Sequence, residues 1–194
     1  MSANKDSNLT QEQKKKIEEN LLIIFKDIFL NNENVLNAKK ESDEISEKIK
    51  DFILQFAEKL ETDETDLLIQ AKEKGLELVG NHELIFFEEK IDRSLKMRAF
   101  LIPGMKIDIT EENAAEKVTE DDLQSVDHEL CVSFKGNGRN EFLKLGNLLD
   151  IRAVITKSMT SKKINEKNLG SYLKDTETFQ NALEAVIEAA KTVV

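Results

Sequence analysis

The chain has 194 residues, with 28 lysines and arginines against 38 aspartates and glutamates, and so carries a net charge of −10 at neutral pH. With 40% hydrophobic and 34% charged residues its composition is that of an ordinary globular protein, which excludes collagen, low-complexity linkers and disulfide-rich scaffolds. A chain of this length buries roughly 70% of the surface that its unfolded form exposes, enough for one full core or two small ones without covalent staples.

The first predicted element is a helix starting after Thr10. Gln13 stands three residues on and completes a capping box, and Ile17, Leu21, Ile24, Phe25 and Ile28 follow at helical spacing. Leu22, Ile23 and Phe29 widen that stripe. The polar interval 31–40 interrupts the pattern, and a second helix follows Ser42 with Ile45, Ile49, Phe52, Ile53, Phe56 and Leu60 on one face. Two amphipathic helices with a short link predict an antiparallel hairpin. A third helix starts at Asp63, buries Leu67, Leu68 and Ala71, and stops at Gly75, a residue suited to the left-handed position after a helix.

Beyond Gly75 the period changes to that of strands. Leu84-Ile85-Phe86-Phe87 is a short apolar run, and Met105, Ile107 and Ile109 alternate with Lys106, Asp108 and Thr110. Pro103-Gly104 reads as a turn between that strand and the apolar stretch 99–102. Two short helical turns are expected over 111–126, with Thr110 and Thr119 as caps. The clearest hairpin signal follows: an apolar strand at 130–134, a turn at 135–139 and a second strand at 141–145. Residues 151–155 read as a further strand, and a closing helix starts near Asp175 or Thr176 and buries Phe179, Leu183, Val186, Ile187 and Ala190.

Helices come first and last, and the strands between them are joined by turns instead of helical crossovers. The expected fold is therefore α+β, an N-terminal helical hairpin or bundle packed on a mostly antiparallel sheet with a C-terminal helix. The expected organisation is a disordered 1–9, a helical subdomain over 10–75 and an α+β subdomain over 76–194, forming one compact domain.

The charge is unevenly placed. Residues 1–75 carry a balance of −5, residues 76–130 carry −8 from 6 bases and 14 acids, and residues 131–194 carry +3. In the middle third, Glu111, Glu112, Glu116, Glu120, Asp121, Asp122, Asp127 and Glu129 face a single base, Lys117. An acidic protein with only four arginines repels phosphate backbones, which disfavours nucleic acid. Lys157, Lys162, Lys163 and Lys167 form the one basic cluster and read as a solvated loop. No apolar run is long enough to span a membrane, and none has the layout of a signal peptide, so the expected location is cytoplasmic for a complete chain, or secreted or surface-attached if an export signal has been removed.

Catalytic and cofactor vocabulary is sparse. Gly136-Asn137-Gly138 lacks the third glycine of a dinucleotide loop, since Glu141 stands there, and reads as a hairpin turn. His82 and His128 are the only histidines and Cys131 the only cysteine. His128 and Cys131 lie three apart on an expected strand and so on opposite faces, and no second Cys/His pair completes a metal site. The expected arrangement is a buried Cys131 and an exposed His128, with no cofactor and no metal. The leading expectation is a non-catalytic interaction module of the inhibitor, immunity, chaperone-like or assembly kind, which engages a basic protein surface through Glu111, Glu112, Glu116, Glu120, Asp121 and Asp122. Two alternatives stand beside it: a secreted or surface-attached binding protein of a bacterial pathogen, and a small hydrolase or transferase using His128 with Asp127 or Glu129. The wide apolar face on the first helix adds an expectation of homo-oligomers formed through the N-terminal helices.

Overall fold

The computed structural model describes residues 9–60, 64–109, 119–159, 164–165 and 167–194. Over these residues the fold is α+β. The helices are α1 (Gln11–Phe29), α2 (Glu33–Glu58), α3 (Thr65–Gly80), α4 (Leu148–Met159), α5 (Leu169–Asp175) and α6 (Glu177–Lys191), with a 3-10 turn at Glu120–Asp122. The strands are β1 (Leu84–Lys90), β2 (Lys96–Ile107), β3 (Leu123–Gly136) and β4 (Arg139–Asn147), an antiparallel sheet in the order β1-β2-β3-β4. The contacts divide the chain into two compact units, one of Met1–Leu36, Ile85–Phe100 and Leu130–Val194, the other of Asn37–Leu84 and Leu101–Glu129. The expected residues 1–8 of the N-terminal tail lie outside the described set.

In the first unit, α1 buries the predicted stripe of Ile17, Leu21, Ile24, Phe25 and Ile28. It packs on α5 and α6, where the edge of one ring meets the face of another at Phe25 and Phe179, with centroids 5.4 Å apart and planes at 90°. Thr176 caps α6, its hydroxyl oxygen accepting from the Phe179 backbone N–H at 3.2 Å. At the start of α1 the capping box is present in both directions. The Gln13 N–H donates to Thr10 Oγ1 at 3.0 Å, and the Thr10 N–H donates to Gln13 Oε1 at 2.9 Å. This leaves Gln13 Nε2 free of the cap, and it donates to Asp92 Oδ2 at 2.8 Å, which ties α1 to the β1–β2 turn.

A second close approach in this unit depends on a glycine. Between β3 and β4 the loop is only Asn137-Gly138, both at positive φ (50° and 74°), as a two-residue type I′ hairpin requires. The predicted five-residue turn is thus tightened by extension of both strands. A Cβ added at Gly136 would stand 2.2 Å from the Ser94 carbonyl oxygen, so only glycine lets the end of β3 reach the β1–β2 turn.

In the second unit, Ile53 of α2 and Leu68 of α3 form a buried cluster with Ile107 of β2, Ile109 just beyond it and Leu123 of β3. Gly75 lies inside α3, not at its end. A Cβ there would meet Ile53 Cδ1 at 3.0 Å and Ile49 Cγ2 at 3.3 Å, so its role is close helix packing, and α3 continues to an Asn81 cap.

Other expectations are corrected. α2 begins at Glu33, because Asn32 Oδ1 accepts from the Asn34 N–H at 2.7 Å and the buried Val35, Ala38, Ser42 and Ser46 carry the helical stripe back through the polar interval. β2 is continuous through Pro103-Gly104. Counted from the 91–95 turn, the seven residues of β1 end before Pro103, whose missing N–H therefore removes no bond to β1. Residues 123–126 belong to β3, while 110–118, where helical turns were expected, lie outside the described set. Residues 151–155 are helical: Leu148, Ile151 and Ile155 are buried at three- and four-residue spacing, which outweighs the β-branched content that suggested a strand. Leu67, expected to be buried, is exposed, as is Phe52 on the apolar face of α2.

Asp92 gives the fold a measurable pH signature. Partial burial pushes its carboxyl upward, but donors from the Ser94 hydroxyl, Gln13 and the Ser94 backbone N–H outweigh that and hold it below the ordinary carboxylate range. The resulting stability is present above the unfolded value near 4 and is lost as pH falls through the lower folded value. Asp92→Asn should therefore destabilise the protein at neutral pH by about 0.5 kcal/mol, discounted for the exposure of the carboxylate. In urea titrations at several pH values, the gap from the parent should close below pH 4.

Candidate functional site

β2 and β3 meet at one end in a hydrogen bond from the Asp108 N–H to the Asp122 carbonyl, 2.7 Å long. The 3-10 turn Glu120–Asp122 enters β3 at this point. Its geometry is set by Thr119 and Asp122, a reversed half of a capping box. The Thr119 N–H donates to Asp122 Oδ2 at 2.9 Å, and the Asp122 N–H donates to the Thr119 carbonyl at 3.1 Å. Thr119 was expected to cap a helical turn through its hydroxyl; here its backbone N–H and carbonyl hold the turn, and the residues after it form a strand.

These constraints separate two neighbouring carboxylates. Asp122 is half-buried and turned onto Thr119, whereas Asp121 is exposed. Together with Lys106 and Asp108 they line a small hollow holding three carboxylates and one ammonium. Of the six acids expected to bind a partner, Asp121 and Asp122 are brought together here. Glu120 contributes its backbone to the same turn, and Glu111, Glu112 and Glu116 lie outside the described residues. Lys106 and Asp108 were not among the expected site residues. Their signal was the alternation of the strand, which places both on the polar face opposite Met105 and Ile107.

His128 departs from expectation. Its side chain is only 13% exposed, not solvated, and its Nδ1 lies 2.7 Å from the Ser42 hydroxyl on α2, with Nε2 3.8 Å from Asp43 Oδ1. Asp127 and Glu129 flank it on a strand and so project to the opposite face. The partners it has, Ser42 and Asp43, were hidden because the sequence pattern placed Ser42 ahead of the second helix and not within it. The missed clue is the small-residue stripe Ala38, Ser42, Ser46 at four-residue spacing. A serine, a histidine and an aspartate are thereby gathered, but Ser42 has 0% exposure, so its hydroxyl meets the imidazole and no solvent-borne substrate. The arrangement acts as a hydrogen-bonded latch between helix and strand.

Cys131 is buried, as expected. In the basic segment Lys157 and Lys167 are exposed, and Lys162 and Lys163 lie outside the described residues. Among the described residues no group of three or more His, Cys, Asp or Glu is placed to hold a metal ion, and no helix is long and apolar enough to cross a membrane. Compared with models of protein families, with curated proteins and with solved structures, the chain matches none.

The different roles of the adjacent acids can be separated by substitution. Asp122→Ala should cost about 1 kcal/mol in urea unfolding, through loss of the Thr119 acceptor. Asp121→Ala should change stability by less than about 0.5 kcal/mol, as a surface substitution. Equal costs would contradict this division of labour.

Proposed function

We propose that the protein is a non-catalytic interaction module whose acidic connection between β2 and β3 engages a basic protein surface. The observation that carries this reading is the hollow of Lys106, Asp108, Asp121 and Asp122. There an exposed carboxylate sits on a turn hydrogen-bonded to the strand ends, inside the third of the sequence with the largest negative balance. A fixed cluster with a net negative charge raises the local concentration of a basic partner and accelerates encounter, by roughly ten- to a thousandfold at low salt. Holding the turn by its own backbone also reduces the ordering cost of binding. Inhibitors, immunity proteins and assembly factors share this chemistry, and the charge alone does not choose among them.

The reading is tested by capture of partners from cell extract at low and high salt, with two variants of equal charge change. Glu120→Lys combined with Asp121→Lys should abolish capture and its salt dependence. Glu33→Lys combined with Asp66→Lys, on exposed helical positions elsewhere, should leave both intact. Equal behaviour of the two variants, or capture insensitive to salt, would contradict the reading.

A further inference from the structure

We propose that Asn137-Gly138, the tip of the β3–β4 hairpin, is a self-modification site, where the chain's own backbone converts the Asn137 side-chain amide to a carboxylate with water as the only co-reactant. The reaction needs a side-chain amide followed by a backbone nitrogen that can reach it and shed its proton. Asn-Gly supplies this best, because no Cβ on the second residue shields the nitrogen. The dipeptide occurs once in the chain.

The hairpin leaves the pair open to solvent. Both residues are exposed, and a Cβ added at Gly138 would meet nothing within 4 Å. In a two-residue turn the closing hydrogen bond joins the residues on either side, here Gly136 and Arg139, so the Gly138 N–H stands outside the ladder. The amide group to be lost is held by a bond longer than usual, Asn137 Nδ2 donating to the Val193 carbonyl at 3.4 Å.

The atoms balance without an oxidant or reductant. The Gly138 nitrogen gives its proton to hydroxide and bonds to Asn137 Cγ, while the Cγ–Nδ2 bond breaks and Nδ2 leaves as ammonia. The product is a five-membered cyclic imide. Water opens it at Cγ, which leaves an aspartate, or at the Asn137 carbonyl carbon, which leaves an isoaspartate whose main chain runs through Cβ and Cγ.

The two products act differently on the fold. An aspartate tolerates the positive φ of 50° at position 137, so the hairpin survives. Its carboxylate has no donor for the Val193 carbonyl oxygen that it faces. An isoaspartate lengthens the backbone of a turn of only two residues, and turn length fixes the register of β3 against β4. A Cβ at Gly136 would lie 3.4 Å from Val193 Cγ1, and Arg139 Nη1 donates to the Thr192 carbonyl at 3.5 Å, so a displaced tip loosens the residues that follow α6. The tip is a one-way switch set by elapsed time and pH.

Peptide mapping by mass spectrometry tests this on the intact, folded chain, incubated in heavy-oxygen water at neutral and mildly alkaline pH. Asn137 should convert faster than Asn140, which lies within β4 and precedes Glu141, and faster still at the higher pH. Both aspartate and isoaspartate should form, with heavy oxygen incorporated. Gly138→Asn accepts the positive φ of 74° and adds its Cβ into open space, and it should slow the conversion of Asn137. If that variant fails to fold, the comparison with Asn140 in the parent decides. The isoaspartate fraction, separated by ion exchange, should melt below the parent. Conversion of Asn137 no faster than that of Asn140, or undiminished in folded Gly138→Asn, overturns the inference, and an isoaspartate fraction that melts with the parent overturns the switch.

Discussion

The antiparallel pair β2–β3 is the constraint from which the rest follows. Along β2 the run Ala99, Phe100, Leu101, Ile102 and Pro103 is buried without alternation, and along β3 Leu130, Cys131, Val132 and Phe134 are buried as well. Outside these runs β3 carries Asp127, His128 and Glu129, and both ends of the pair are polar. At one end stands the Asp108–Asp122 closure with its acidic turn, and at the other the Asn137-Gly138 tip of β3.

Glycine works in the structure in ways that follow from this density. Gly136 admits a backbone carbonyl where any side chain would collide, and Gly75 admits two isoleucines between helices. Neither role is conformational, since the positive φ values belong elsewhere, to Asn31, Asn137, Gly138 and Gly146. The same residue type read in the sequence as punctuation is in these two places a point of close packing.

Much of the fold was legible because the signals were local. The α1 stripe, the Thr10–Gln13 capping box, the Thr176 cap and the 130–145 hairpin each depend on residues a few positions apart. What could not be read depended on distant partners. Pro103 passes as a strand residue only because β1 ends before it. Ser42 is buried only because His128 arrives from a strand 86 positions away. Residues 151–155 are helical only because Leu148 supplies the missing turn of the stripe. The candidate site was half legible. The acids announced themselves by number, but which of them is exposed and which is tied to Thr119 is decided by hydrogen bonds that composition does not record.

The proposed role of the acidic turn rests on charge, whose reach extends beyond contact and weakens with salt. The turn can present its charge in a fixed direction only if it is held to the strand ends, and that is the central claim. Native-state hydrogen exchange at the Asp108 amide tests it most directly. Its 2.7 Å bond to the Asp122 carbonyl should give it protection close to that of the Ile107 amide next to it in β2. Exchange at the rate of an unstructured amide would show that the turn swings free of the sheet, and would contradict the account.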